Sequence, residues 1–155
     1  NLVKKYTWVD KGSEYAMSEI NAAFLYSQLK ISKKIKNKRL SIWKKYYSVF
    51  LDLSNKIQIP DIPKYKKHNG HIFYIVLKKN NREKILKFLN KRKVNAIFHY
   101  IPLHSSPAAI KILKKINDLK NTNFIANNLI RLPLHNSITK SDIKTIQQAV
   151  ADSLK

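Results

Sequence analysis

The spacing of apolar residues changes near residue 70, and this change limits the folds open to the chain. Before it, apolar side chains recur at helical spacing from Ile20 to Leu29 and again from Leu40 to Leu51. These stripes predict two successive helices, which begin near Ser18 and break between residues 31 and 38. After it, short β-type runs alternate with helical stripes, a pattern typical of a small α/β (or α+β) fold.

Two segments of the second half have the composition of strands. A run of β-branched and aromatic residues from His71 to Leu77 predicts a buried strand. Alternation from Val94 to Ile101 predicts a second strand, which Pro102 ends. The segment from Phe124 to Ile130 leads into 132–134 and completes a β-α-β-α-β-α order, so we expect a short sheet flanked by helices.

Capping residues indicate where the later helices begin. Asn81 is expected to cap a helix that runs to about Lys91. Ser106 precedes a proline, which is tolerated in the first turn of a helix because its missing N–H is not needed there. Thr139 and Asp142 have the spacing of a capping box before the last helix.

Proline and glycine between residues 59 and 70 mark a connection between two parts of the chain. We divide the chain into an entry loop with two connecting helices (1–58), a linker (59–70) and a small α/β domain (71–155). Asn1 at the start and a lone methionine at Met17 suggest a piece of a longer polypeptide.

The balance of 31 basic and nine acidic residues gives a formal charge of +22. Such a charge suggests a nucleic-acid partner, but 27 of the basic residues are lysine and four are arginine, the residue that base readout favours. Lys, Asn and Ile make up 62 of the 155 residues, and their codons are rich in A and T. We therefore favour compositional drift over selected polyanion binding, and nonspecific nucleic-acid binding remains an alternative.

The residues that are scarce exclude several chemistries. Zero cysteines exclude disulfides and thiolate metal sites and fit a reducing, cytoplasmic setting. Two glycines exclude the Gly-rich loops that bind nucleotide phosphates, and the five histidines lack the spacing of zinc proteases, so no metal site is expected. The longest apolar run, Ile72 to Leu77, is far shorter than the roughly 18 residues that cross a bilayer, and no membrane segment is predicted.

His99 and His104 bracket the end of the second predicted strand, in the run FHYIPLHSSP. A junction between a strand and a helix is a usual place for ligand contacts, because its loop backbone is adaptable. A structural role, with the imidazole bonded to a neighbouring loop, is the alternative for both residues. We expect His71 to be structural and His68 to be solvated.

Four segments together carry a resemblance: KYTWVDKGSEYAMSEINAAFLYSQL, HIFYIVL, FHYIPLHSSPA and LIRLPLHNSIT. In this order and at these separations they resemble the C-terminal part of the DegT/DnrJ/EryC1/StrS sugar aminotransferases, from about Lys5 to Leu154. The resemblance implies the small C-terminal domain of the aspartate aminotransferase-like fold, preceded by two long helices at the edge of a large domain.

The resemblance also implies an activity for the complete protein. Family members depend on pyridoxal 5'-phosphate (PLP) and move an amino group from glutamate to the keto carbon of a nucleotide-linked sugar, here a dTDP-4-keto-6-deoxy sugar. They are homodimers, and their Schiff-base lysine lies in the large N-terminal domain, so no catalytic residue is assigned in this chain. We expect the 155 residues alone to be inactive, with a non-catalytic remnant as an alternative.

Individual residues carry over at two places. The family places Ser13, Glu14 and Tyr15 across the dimer interface, near the cofactor phosphate of the neighbouring subunit, and Glu14 stands where Asn is usual. The stretch with His99, Tyr100 and His104 corresponds to the sugar-binding side of the cleft, where imidazole and phenol groups can bond the sugar or its phosphates.

Overall fold

The computed structural model describes residues 7, 9–10, 12, 17–79, 81–113 and 118–155. Ser13, Glu14 and Tyr15, for which we predicted a role in cofactor binding, lie outside the described residues. The described residues form six α-helices and four short strands. In chain order these are α1 (Glu19–Lys30), α2 (Ser32–Phe50), β1 (Ile57–Gln58), β2 (Phe73–Leu77), α3 (Arg82–Lys91), β3 (Ile97–Phe98), α4 (Pro107–Ile112), α5 (Lys120–Asn128), β4 (Leu129–Leu132) and α6 (Lys140–Ser153).

The four strands form one antiparallel sheet in the order β1-β2-β4-β3. Ile75 lies opposite Ile130, and Phe98 lies opposite Ile130 on its other side. Since β2 and β3 are both antiparallel to β4, they run in the same direction with β4 between them. The unit β2-α3-β3 is therefore a β-α-β unit split by the last strand.

The predicted strand from His71 to Leu77 is confirmed as β2, and the α/β expectation is confirmed with it. The strand predicted from Val94 to Ile101 is only partly right, because ladder pairing is confined to Ile97 and Phe98. Val94 and Ala96 are buried before the strand begins, so their alternation reflects packing against the core without strand pairing.

The core lies between one face of the sheet and helices α2, α3 and α6. Its centre is aromatic: the ring of Phe73 on β2 stacks on Tyr46 at 5.0 Å and lies 5.7 Å from Phe50, both on α2. All three side chains are completely buried. The hydroxyl of Tyr46 donates to the carbonyl of Pro133 at 2.8 Å, which ties α2 to the segment after β4.

The residues before β2 cross α2 in close contact. Gly70 has φ +64, and a Cβ there would lie 3.1 Å from the backbone nitrogen of Leu40, so the crossing requires glycine. Arg39 donates to the carbonyls of Gly70 and His71. His68 is not simply solvated as we predicted, because its half-buried ring packs 4.4 Å from the ring of Trp43.

The helix starts agree with the sequence except at one residue. The capping box of Thr139 and Asp142 is confirmed, with bonds of 3.1 and 2.8 Å, and Ser106 accepts from the backbone nitrogen of Ala109 at 3.2 Å. Asn81 occupies the N-cap position of α3, which ends at Lys91 as predicted, but its side chain makes no capping hydrogen bond.

Helix α1 contrasts with the rest, because none of its residues is buried. Ile20 is 83% exposed and Phe24 is 68% exposed, which leaves an apolar helix surface open. Ser18 caps its first turn, as the predicted start implies. No helix of the described residues is long and apolar enough to cross a membrane.

Removing the hydroxyl of Tyr46 tests the link between α2 and the end of β4. We expect Tyr46→Phe to lower the free energy of unfolding by about 1–2 kcal/mol, because the carbonyl of Pro133 loses its donor in a buried setting. Urea denaturation measures the change. Tyr47→Phe is the matched control, since the Tyr47 hydroxyl has no partner within the described part of the chain. Equal stability of the two variants would contradict the assignment.

Candidate functional site

The sheet has a second face, opposite the core, and its centre is Arg131. Arg131 on β4 pairs with Tyr74 of β2 on one side and with Ile97 of β3 on the other. Cross-strand partners point to the same face, so these three side chains form a row across the sheet. Arg131 is the one charged residue within the four described strands.

His99 follows β3 directly and lies beside this row. Its Nδ1 is buried and has no hydrogen-bond partner among the described residues. Its Nε2 also has no partner among the described residues, but this nitrogen is not completely buried. The ring contacts Tyr100 edge to face, with centroids 4.9 Å apart, and Tyr100 is 59% exposed.

The electrostatics at His99 are those of a neutral imidazole. Burial lowers the pKa of His99 below its ordinary value, and the positive charges of Arg131 and His71 lower it further. At neutral pH the exposed Nε2 can therefore take part in a hydrogen bond without carrying a charge. His71, which we expected to be structural, is exposed, and its carbonyl accepts from Arg39.

His104 is bonded within the protein. Its Nε2 lies 3.0 Å from Oδ1 of Asn123 on α5, and the amide nitrogen of Asn123 donates to Asp118 at 3.0 Å. Because that amide nitrogen faces Asp118, the oxygen faces His104, and Nε2 of His104 is the donor. The chain of bonds ties the turn Leu103–Ser105 to α5. These contacts correspond to the alternative given for His104, in which the imidazole has a structural role and bonds a neighbouring segment.

The rings of His99 and Tyr100, which are adjacent in the sequence, are thus in contact, and the structure adds Arg131, which the sequence reasoning missed. The signal for Arg131 was present as one of only four arginines among 27 lysines, within the segment LIRLPLH. A groove of about 1020 Å³ lies elsewhere, where the ends of α2 and α3 meet α6, and contains none of the predicted site residues. Within the described ranges no three His, Asp or Glu side chains are grouped to hold a metal ion.

The pKa of His99 tests the proximity of Arg131. We expect Arg131→Gln to raise this pKa, because a positive charge that disfavours the imidazolium is removed. Burial remains, so the value should stay below that of an exposed histidine. NMR titration of the ring protons measures it, and Arg82→Gln, whose guanidinium bonds Ala126 instead, should leave the pKa unchanged. A pKa that does not respond to Arg131→Gln would refute the proximity.

The bonds of Asn123 generate a second prediction for this region. Asn123→Ala removes the acceptor for His104 and the donor for Asp118, at a cost of about 1 kcal/mol for each bond. The amides of Ser105 and Ser106 should then exchange with deuterium about fivefold faster or more, because the turn opens more often. Asn121→Ala, on the same helix and without such bonds in the described part of the chain, should leave exchange unchanged. Unaltered exchange in Asn123→Ala would show that α5 does not hold the turn.

Known proteins resemble this chain in sequence over nearly its whole length. The sequence model of the DegT/DnrJ/EryC1/StrS aminotransferase family matches residues 2–151. The uncharacterized protein MJ1066 of Methanocaldococcus jannaschii is 30% identical over 150 residues, which are 94% of this chain and 39% of that protein. The chain therefore spans about two fifths of the length of this relative.

Solved structures resemble it in fold. PseC of Helicobacter pylori, an aminotransferase involved in the biosynthesis of pseudoaminic acid, superposes with a TM-score of 0.81 at 23% identity, over 92% of this chain and 39% of PseC. DesV of S. venezuelae, solved in complex with a ketimine intermediate, gives a TM-score of 0.80 at 22% identity, over 98% of this chain and 40% of DesV. At these identities the structural likeness shows the fold alone. The match of the family model over residues 2–151 shows that this chain belongs to the DegT/DnrJ/EryC1/StrS aminotransferase family.

Proposed function

We propose that the chain is the C-terminal part of a PLP-dependent sugar aminotransferase. The complete enzyme is proposed to be a cytoplasmic homodimer that moves the amino group of glutamate to a dTDP-4-keto-6-deoxy sugar. The product would be dTDP-4-amino-4,6-dideoxygalactose, a precursor for surface polysaccharide such as enterobacterial common antigen. Family membership supports the reaction class and favours it over a remnant or a nucleic-acid binder. The finer substrate assignment comes from the YTW and FHYIPLH runs.

The lysines of the chain support a division of labour with another domain. When bound, PLP supplies an electron sink for amino transfer, and it requires a lysine held in a cleft. No lysine of the described ranges is buried. The described residues therefore do not fit the cofactor by themselves, and we place the Schiff-base lysine in polypeptide outside this chain. Ser13, Glu14 and Tyr15 remain proposed contacts to the cofactor phosphate of the partner subunit.

The single observation that carries a substrate site in this chain is the pair His99 and Tyr100 at the end of β3. Nε2 of the imidazole is not completely buried and has no described partner, and Tyr100 is 59% exposed, so this end of β3 is open to a ligand. We propose that they hydrogen-bond the sugar nucleotide. His104, predicted to bind substrate as well, is better explained as a positioning residue, because its contact to Asn123 holds the turn after them.

The test uses the full-length polypeptide that contains this chain. With PLP, glutamate and a dTDP-4-keto-6-deoxy sugar, it should release 2-oxoglutarate, and the aminosugar nucleotide should appear by mass spectrometry. His99→Ala should raise the KM for the sugar nucleotide about tenfold, since one hydrogen bond to a charged or polar ligand is lost. His135→Ala, an exposed histidine after β4, is the control and should change KM less than twofold.

Two results would contradict the proposal at different levels. Failure of the full-length protein to aminate any nucleotide-linked keto sugar would reject the reaction. Amination with an unchanged KM in His99→Ala would keep the reaction and reject the role of the β3 end in substrate binding.

A further inference from the structure

Arg131 differs from the other three arginines because its side chain has no partner. Arg39 donates to the carbonyls of Gly70 and His71, Arg82 donates to the carbonyl of Ala126, and Arg92 forms an ion pair with Asp152 at 2.6 Å. The side chain of Arg131 makes no hydrogen bond or ion pair within the described part of the chain. A charged group in a partly buried position is normally paired, so this one is available for a ligand.

The parts of the guanidinium differ in accessibility. Nε of Arg131 is buried without a partner, whereas the two terminal nitrogens are not among the buried unpartnered atoms. Since they also have no hydrogen bond within the described residues, they must reach the surface. The guanidinium is thus buried at Nε and accessible at its terminal nitrogens.

Arg131 has no acidic partner within the described residues. Its row neighbours, Tyr74 and Ile97, are uncharged. The described ion pairs involve Glu83 and Asp152, neither of which is on the sheet. An anionic ligand would supply the missing countercharge.

Arg131 lies in a stretch of the sequence that contains few basic residues. Residues 94–110 contain no lysine or arginine, and residues 121–139 contain only Arg131, although the chain has 31 basic residues in 155. Within the first stretch, Tyr100 and Leu103 are exposed. Arg131 therefore lies in a stretch of sequence that is otherwise free of basic residues.

We propose that Arg131 anchors a phosphoryl oxyanion on the outer face of the sheet, with Nε2 of His99 beside it. The planar fork of arginine matches two oxygens of a phosphoryl group, which a lysine cannot do. The inference rests on the proposed function in one respect, because we take the phosphoryl group to be the diphosphate of the sugar nucleotide. Free phosphate offers the same chemistry, and the experiment separates the two sources.

The experiment compares variants of the full-length polypeptide. Arg131→Gln should weaken binding of thymidine diphosphate at least tenfold by calorimetry at 150 mM salt, and raise the KM for the sugar nucleotide similarly while kcat changes less than threefold. Arg131→Lys keeps the positive charge but lacks the planar fork, so its affinity for thymidine diphosphate should fall about threefold or more. Lys140→Gln makes the same change of charge on an exposed helix start and should change binding less than twofold.

Each outcome bears on the proposal. Equal weakening by Arg131→Gln and Lys140→Gln would overturn it, because binding would then follow net charge alone. Full affinity in both Arg131 variants would also overturn it, and would leave the proposed reaction intact if amination is unchanged. Inorganic phosphate that binds as tightly as thymidine diphosphate, and depends equally on Arg131, would assign the anchor to free phosphate. If Arg131→Gln does not fold, the affinity of Arg131→Lys for thymidine diphosphate decides: a loss supports the proposal, and full affinity overturns it.

Discussion

The stacking of Tyr46 on Phe73 is the contact on which the rest of the structure depends. It joins a helix from the first third of the chain to the longest strand of the sheet, and Phe50 extends it. With α2 held on the inner face, α3 and α6 complete the cover of that face. The hydroxyl of Tyr46 reaches Pro133, so the same side chain also fixes where the chain goes after β4.

This arrangement decides what the outer face can do. The inner face takes up Phe73, Ile75, Leu77, Ile130 and Leu132, so the alternate residues of β2 and β4 point away from this core, and Arg131 is among them. The position of β4 between β2 and β3 places Arg131 centrally, with Tyr74 and Ile97 on either side. His99 and Tyr100 follow β3, the edge strand next to β4.

The sequence predicted those features that depend on neighbours along the chain. The strand at 73–77, the helix at 82–91 and the capping box at Thr139 follow from local composition and spacing, and all are present. The two-residue strand β1 was not predicted, because two residues carry no period. Asn81 has the right residue type for a cap, yet its side chain does not make the bond. Residue type permits such a bond, but backbone geometry decides whether it forms.

At the candidate site, too, the local sequence predicted some features and only the tertiary structure showed the others. The run FHYIPLH identified His99 and Tyr100 from the sequence, and the structure places their rings in contact. The bond of His104 to Asn123 spans 19 residues, and nothing in the local pattern of either residue indicates it. Arg131 could be noticed as a rare arginine, but its lack of a partner is visible only once the other side chains are placed.

By itself, the sequence determined the order of most of the elements, most of the helix starts and the family, because these are encoded by residues within a few positions of one another or by motifs in order. Only the tertiary structure decided the strand order, the antiparallel directions and the face that Arg131 occupies. The pairing of Ile75 with Ile130 joins residues far apart in the chain, and it is selected by the fit of α2 and α6 over one face of the sheet. Such a fit depends on all the packed side chains together, so no single segment of the sequence specifies it.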